Sequence, residues 1–338
     1  MKVLVVKTSS LGDVIHTLPA LSDARDAIPD IEFDWVVEEA FAQIPSWHKA
    51  VNDVMPCALR RWRKSLWQTV RQGEWKAFKT QLQAKQYDAV IDAQGLIKSA
   101  FITKRARGQK FGLDKQSARE GLSARVLDKP QAVALGQHAV ERNRQLFAQS
   151  LGYPYSPSTP NYGLMFTAEP VSEPYVALLH GTTWESKLWP VSYWQQLAEL
   201  LLAQGLAVQL SWGNEEEKLR AQQIAQCSDD IEIVPKMPLQ QVAQWLTNAT
   251  AAVSVDTGLG HLAAALDVPL VAIYGATDAR LTGCYGGRVE VLSADYHCSP
   301  CMQKQCSEPQ QELYPPCYKR LDPETVLQCL KRVKAHGL

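Results

Sequence analysis

Short apolar runs alternate with amphipathic stretches along this chain. Lys2–Lys7 carries four consecutive aliphatic residues, and 11–27 follows with helical periodicity. Further runs are 33–37, 87–91, 175–180, 207–212, 231–234, 251–255 and 270–274, with helical patterns at 191–203 and 215–226. Apolar runs of strand length separated by helices predict parallel sheets built from βαβ units. The pattern breaks at 152–174, where Pro154, Pro157, Pro160, Pro170 and Pro174 punctuate a stretch with few apolar runs. It reads as a linker. The division this gives is residues 1–160, a linker at 161–174, and residues 175–338. Open α/β sheets bind ligands beyond the carboxyl ends of their strands, so two such halves predict a cleft between them. The last segment opens with Asp322-Pro323-Glu324, a helix start signal, and places Val326, Leu327, Leu330 and Val333 on one face.

Composition narrows the class. The chain has 338 residues, 46% hydrophobic and 21% charged, too apolar for a disordered protein. No apolar run approaches the ~20 residues of a membrane-spanning helix. Val3–Val6 before Lys7 is too short for a signal peptide. The expectation is a cytoplasmic protein without a transmembrane segment, in which the eight cysteines are not a disulfide scaffold. The formal net charge of zero hides a division: residues 1–150 hold 23 basic and 16 acidic side chains, and the remainder 12 and 19. A basic first half points to an anionic partner.

Three turns collect small polar residues after an apolar run. The first is Lys7-Thr8-Ser9-Ser10-Leu11-Gly12-Asp13, with Asp13 at a helix start that favours its ionised form. It has one glycine where a dinucleotide fingerprint needs three, which argues against a dehydrogenase. The second, from His180 to Pro190, gathers Thr182, Thr183 and Lys187, the lysine being a point charge suited to phosphate oxygens. The third, Ser254–His261, offers Thr257, Gly258 and His261 at a predicted helix N-terminus, a phosphate-type site. Arg60-Arg61-Trp62-Arg63-Lys64, with Trp67 and Arg71 beyond it, is the densest basic cluster, and no nucleic-acid module surrounds it. Cys298, Cys301, Cys306 and Cys317 open with a C-x₂-C pair and could hold a structural metal or remain free thiols.

These residues resemble the ADP-heptose:lipopolysaccharide heptosyltransferases, family 9 glycosyltransferases. The matching stretches are VVKTSSLGDVIHTLPAL (5–21), FDWVVEEAFAQIPSWHKAV (33–51), RRWRK (60–64), YDAVIDAQGLIKSA (87–100), KLWP (187–190) and VSVDTGLGHLAAALD (253–267). The resemblance covers most of the chain to about residue 290. FDWVVEE and RRWRK are more specific to its type I branch, whereas 298–317 looks more like other branches.

The resemblance implies an α/β GT-B fold, two Rossmann-like domains with parallel sheets facing a central cleft. It implies inverting transfer of L-glycero-D-manno-heptose from ADP-heptose to the Kdo of an inner-core lipopolysaccharide precursor, Kdo₂-lipid A. Asp13 matches the base. Thr182, Thr183 and Lys187 match groups near the donor phosphates, Glu217 a ribose-holding carboxylate, and Met237 a neighbour of the nucleoside. Asp256, Thr257, Gly258 and His261 match the donor-binding turn. Ser10, Arg60, Arg61, Arg63, Lys64 and Arg119 fall on the acceptor side. No cofactor is implied for catalysis, and the protein would act peripherally at the inner face of the inner membrane. Competing readings are a transferase for a later core heptose and a non-catalytic protein that binds an anionic ligand.

Overall fold

The computed structural model describes residues 1–64, 73–310 and 313–335. Its contacts divide the chain into two units, Met1–Met165 and Phe166–Leu338.

The first unit contains a parallel sheet of β1 (Lys2–Val6), β2 (Glu32–Glu38), β3 (Val51–Cys57), β4 (Gln86–Asp92), β5 (Arg107–Leu113) and β6 (Lys129–Gln131) in the order β3-β2-β1-β4-β5-β6. The second contains β7 (Tyr175–Leu179), β8 (Ala207–Leu210), β9 (Ile231–Ile233), β10 (Ala251–Val255), β11 (Leu270–Tyr274) and β12 (Val289–Ser293), ordered β12-β11-β10-β7-β8-β9. Counted from its own first strand, each sheet runs 3-2-1-4-5-6, the dinucleotide-fold order, with helices between the strands. Both units are Rossmann-like, as a GT-B fold requires. The order reverses between β1 and β4 in one unit and between β7 and β10 in the other, and such reversals are where open α/β sheets bind ligands.

The central strands follow the sequence pattern because both their faces are covered. Val3–Val6, Val176–Leu178 and Leu270–Ile273 are fully buried. The helix Val191–Leu202 presents Trp194, Leu197, Ala198 and Leu201 to the second core, each without exposure. Burying one such aliphatic side chain is worth about 1.5–3 kcal/mol. The terminal helix Pro323–Ala335 packs beside it through Val326, Leu327, Leu330 and Val333, and the Asp322 carboxylate accepts the Thr325 N–H at 2.8 Å.

The proline-rich stretch is partly fastened to the first unit. Arg144, 1% exposed, donates to Asp23 (2.6 Å), the Ser158 carbonyl (2.9 Å) and the Ser158 hydroxyl (2.7 Å). Leu164 forms an antiparallel bridge with His48. The single helix expected over 11–27 is two, Leu11–Ile15 and Leu18–Ala27; Thr17 precedes the second and donates its hydroxyl back to the Asp13 carbonyl at 3.0 Å, and Pro19 lies in the second helix's first turn.

Candidate functional site

At the β1/β4 reversal, the chain leaves β1 through Lys7–Ser10 and β4 through Ala93–Gly95. The Gln94 side-chain oxygen accepts the N–H groups of Thr8 (3.0 Å) and Ser9 (3.2 Å), tying the two turns together. Lys7 is buried and donates to the Ala93 carbonyl at 2.7 Å. Its burial pushes its pKa down, against the pull of Asp13 and Asp92. Asp92 is buried in turn and accepts from Gln94, Gly95 and Ser99, while burial pushes its pKa up.

Asp13 sits half-buried on the helix Leu11–Ile15. The backbone N–H and the hydroxyl of Ser10 both donate to Asp13 Oδ2, at 2.6 and 2.8 Å. One oxygen is thereby fixed by the turn and the carboxylate plane is oriented. Lys98 Nζ donates to the Ser9 hydroxyl at 2.9 Å, bringing a cation to the same turn. Arg119 is exposed on a loop held there by two bonds, Glu120 N–H to the Gly95 carbonyl (3.1 Å) and Ile97 N–H to the Glu120 carboxylate (2.7 Å).

The basic cluster forms the helix Leu59–Lys64. Its tryptophan is core: Trp62 is 7% exposed, packs on Trp75 and Phe78, and donates to Glu74 at 2.7 Å. Its cations divide. The Arg61 guanidinium is paired with Glu39 and Glu74, so its charge is answered locally. Arg60 is anchored by its N–H to Glu38 Oε1, and its guanidinium lies over the Phe41 ring. Arg63 and Lys64 are exposed. The FDWVVEE and RRWRK stretches are therefore physical partners, Glu38 with Arg60 and Glu39 with Arg61. Trp67 and Arg71 lie outside the described residues.

At the β7/β10 reversal the second and third polar turns meet. Lys187 Nζ faces Asp256 Oδ2 at 2.6 Å, with side chains 15% and 11% exposed. The ammonium also lies 4.4 Å from the Trp184 ring centroid. Thr277 donates to the same Asp256 oxygen at 2.5 Å, and the Thr182 hydroxyl to the Asp256 carbonyl at 2.9 Å. Asp256 thus gathers three loops. Thr183 is exposed beside Thr182. The following helix runs Gly258–Ala265 from an extended Thr257, three residues earlier than its apolar run suggests, so its free N–H groups open next to Asp256. His261 is buried in its first turn. Gly260 is required by packing, since a Cβ there would lie 2.5 Å from the Ser254 hydroxyl.

Glu217 completes the β8 side. Its carboxylate accepts the Gly213 N–H at 2.7 Å, and its backbone N–H is capped by Asn214 at 2.9 Å. A Cβ on Gly181 would meet Glu217 Cδ at 2.7 Å, so the glycine is what lets this carboxylate lie over the β7 turn. Met237 is half-buried just past β9. His180, fully buried, bonds through Nε2 to the Ser211 carbonyl at 3.1 Å, and burial depresses its pKa to about 4.

Lys98, Gln94 and Thr277 are site residues that sequence reasoning left unmarked. Gln94 and Thr277 share a signal with the residues that were found, because each closely follows the carboxyl end of a central strand, β4 or β11. Lys98 lies within the 87–100 stretch but carries no local pattern of its own.

A family model described as glycosyltransferase family 9 (heptosyltransferase) matches residues 75–311. Lipopolysaccharide heptosyltransferase 1 of Pseudomonas aeruginosa is 51% identical over 341 positions, covering 96% of this chain and 96% of that relative. A solved structure of E. coli heptosyltransferase WaaC with ADP has a TM-score of 0.88 at 46% identity, covering 98% of this chain and 100% of that one. A second, of the E. coli protein with ADP-2-deoxy-2-fluoro heptose, has a TM-score of 0.82 at 49% identity, covering 87% and 94%.

Proposed function

The chain belongs to glycosyltransferase family 9, the heptosyltransferases, and we propose that it transfers L-glycero-D-manno-heptose from ADP-heptose to the Kdo of Kdo₂-lipid A with inversion at the anomeric carbon. The observation that carries this reading is the Lys187–Asp256–Thr277 cluster beside the N-terminus of Gly258–Ala265. It combines a held cation with backbone donors, which is what a departing diphosphate needs. Residues 1–160 serve the acceptor and 175–338 the nucleotide sugar, joined by 161–174.

Asp13 is the base. Ser10 occupies Oδ2, so Oδ1 takes the proton of the acceptor hydroxyl as that oxygen attacks the anomeric carbon. The sugar passes through an oxocarbenium-like transition state. ADP leaves with growing negative charge, met by Lys187, the Thr182 and Thr183 hydroxyls, and the N–H groups after Thr257. Glu217 and Met237 hold the ribose and the nucleoside. Arg60, Arg63, Lys64, Arg119 and Lys98 meet the carboxylates and phosphates of the acceptor, and Arg61 braces their helix.

No helix among the described residues is long and apolar enough to cross a membrane. The protein works peripherally at the inner face of the inner membrane. Ile97, Phe101 and Leu122 are exposed at 54%, 46% and 54% on the adjoining segments 97–103 and 121–126, which also carry Lys98 and Arg125. An apolar-cationic face of this kind suits an anionic lipid surface. Binding to anionic vesicles that ignores both salt and these residues would remove this assignment.

The deciding experiment is turnover of ADP-heptose with Kdo₂-lipid A beside the same assay on a once-heptosylated acceptor. Transfer to the first alone is expected. Transfer only to the second would make this a later-heptose enzyme, and tight ADP-heptose binding without turnover would make it a binding protein.

A further inference from the structure

Between β12 and the short turn Pro316–Arg320, no described residue from 294 to 315 belongs to a helix or strand. Structureless segments beyond about 12–15 residues are uncommon inside compact domains and need something to hold them. This one nonetheless has fixed work to do. The Gln303 and Lys304 carbonyls accept from the Ser186 hydroxyl (2.5 Å) and N–H (3.2 Å). Met302 N–H donates to the Ala276 carbonyl at 2.7 Å, and the Ser299 hydroxyl to the Gly275 carbonyl at 2.5 Å. The segment therefore straps together the turn that carries Lys187 and the loop that carries Thr277, the two groups that converge on Asp256.

Cys298, Cys301 and Cys306 of the strap and Cys317 of the turn that follows it line a single pocket, together with Glu308 and Tyr296. All four are free thiols. We propose that these four cysteines bind one thiolate-ligated divalent metal, zinc or iron, which fastens the strap and so holds the donor-phosphate site in place. Four sulfur donors select these metals over oxygen-seeking ones. Cys298, Cys301, Cys306 and Cys317 line this pocket, but no three of their sulfurs lie within 4.8 Å of one another, so binding draws them closer together. Among the described residues, the trio of metal-donor atoms lying within 4.8 Å of one another is His297, Cys298 and Glu308. His297 is largely exposed and already hydrogen-bonded to Glu308 at 3.2 Å, which leaves the thiols as the better donors.

The metal assignment is independent of the proposed reaction, whereas the link to the donor site rests on it. The test begins with metal analysis of the full chain purified under reducing conditions and supplied with zinc or iron. About one metal per chain is expected, and its identity distinguishes the two. Cobalt substitution should give thiolate-to-metal charge-transfer absorption. Cys306→Ser and Cys317→Ser should lose the metal, whereas Cys227→Ser, His297→Ala and Glu308→Ala should keep it. Metal removal from the wild-type chain should weaken ADP binding about tenfold, a 1.4 kcal/mol change. A chain that takes up no stoichiometric metal would overturn the site. So would metal that survives both serine substitutions, or cobalt spectra without thiolate bands. A folded, metal-free chain with unchanged ADP affinity would overturn the link to the donor site. A stoichiometric metal in a chain that transfers no heptose would count against the proposed reaction and leave the site standing.

Discussion

Truncating Lys187 to alanine removes the cation facing Asp256 at 2.6 Å and leaves a carboxylate only 11% exposed. Breaking a fully buried pair in this way costs about 3–5 kcal/mol. Here the residual exposure and the continuing bond from Thr277 soften the loss, so Lys187→Ala should cost about 2–3 kcal/mol of stability. Asp256→Asn keeps an acceptor for Thr277 and leaves a flexible ammonium over Trp184, so it should cost less. The double variant leaves no unpaired charge. It should be more stable than the sum of the single losses by about 1 kcal/mol or more, well beyond the ~0.3–0.5 kcal/mol scatter of independent sites. Urea unfolding of the four proteins measures this coupling. Calorimetric titration with ADP adds the functional side, because loss of a charge-assisted contact to a phosphate should weaken binding by roughly 10–100-fold. Additive stabilities would show that the pair is not a pair in solution. Unchanged ADP affinity in Lys187→Ala would refute the placement of the diphosphate beside it.

Asp13→Asn keeps an oxygen for both Ser10 donors but cannot accept a proton, so kcat should fall by roughly 10²–10⁴-fold with donor affinity unchanged; near-normal turnover would eliminate the base. Gly181→Ala should raise the Kd for ADP by displacing Glu217, which a Cβ would meet at 2.7 Å; titration showing wild-type affinity would dissociate Glu217 from the nucleoside. Removing charge at Arg63 and Lys64 should raise the acceptor KM and flatten its salt dependence while sparing the donor KM, and Arg61→Ala should affect acceptor binding less because Arg61 is paired with Glu39 and Glu74. Burial holds His48 and His180 at pKa values of about 4, below the ordinary 6.5. The unfolded chain therefore binds protons between those values that the folded chain refuses, and stability should fall as pH drops from about 6.5 to about 4 and then level off for these two groups. Urea midpoints across that range measure the slope, which His48→Asn should reduce; an unchanged slope in that variant would exclude His48 as a contributor.

The central strands were legible because β1, β7 and β11 are covered on both faces and read as unbroken apolar runs, and β4 and β10 are interrupted only by Asp88 and Ser254. β3, β6 and β12 lie at sheet edges, and β3 carries Asn52, Asp53 and Pro56 within its span; β5 is interior but reads RGQKFGL and is only partly buried, whereas the edge strand β9 does carry an apolar run. Edge and partly buried strands need no apolar signature, so the chain text did not mark β3, β5, β6 or β12. Site residues divide in the same way. Local chemistry marks the turns holding Asp13, Lys187 and Asp256, since small polar residues after a buried strand are a property of a few consecutive positions.

The sequence by itself determined two parallel α/β units, the polar turns at their strand ends, the charge asymmetry and the family resemblance. Only tertiary structure decided which turns are neighbours. The 3-2-1-4-5-6 order puts β7 beside β10, and with them Thr182 beside Asp256 across 74 positions of chain. It also sorted the cations. Arg61 and Arg63 are two residues apart in one basic run, yet Glu39 and Glu74 neutralise the first while the second faces water. Whether a charge is free to meet a ligand depends on what folds against it, and those partners come from distant strands and helices.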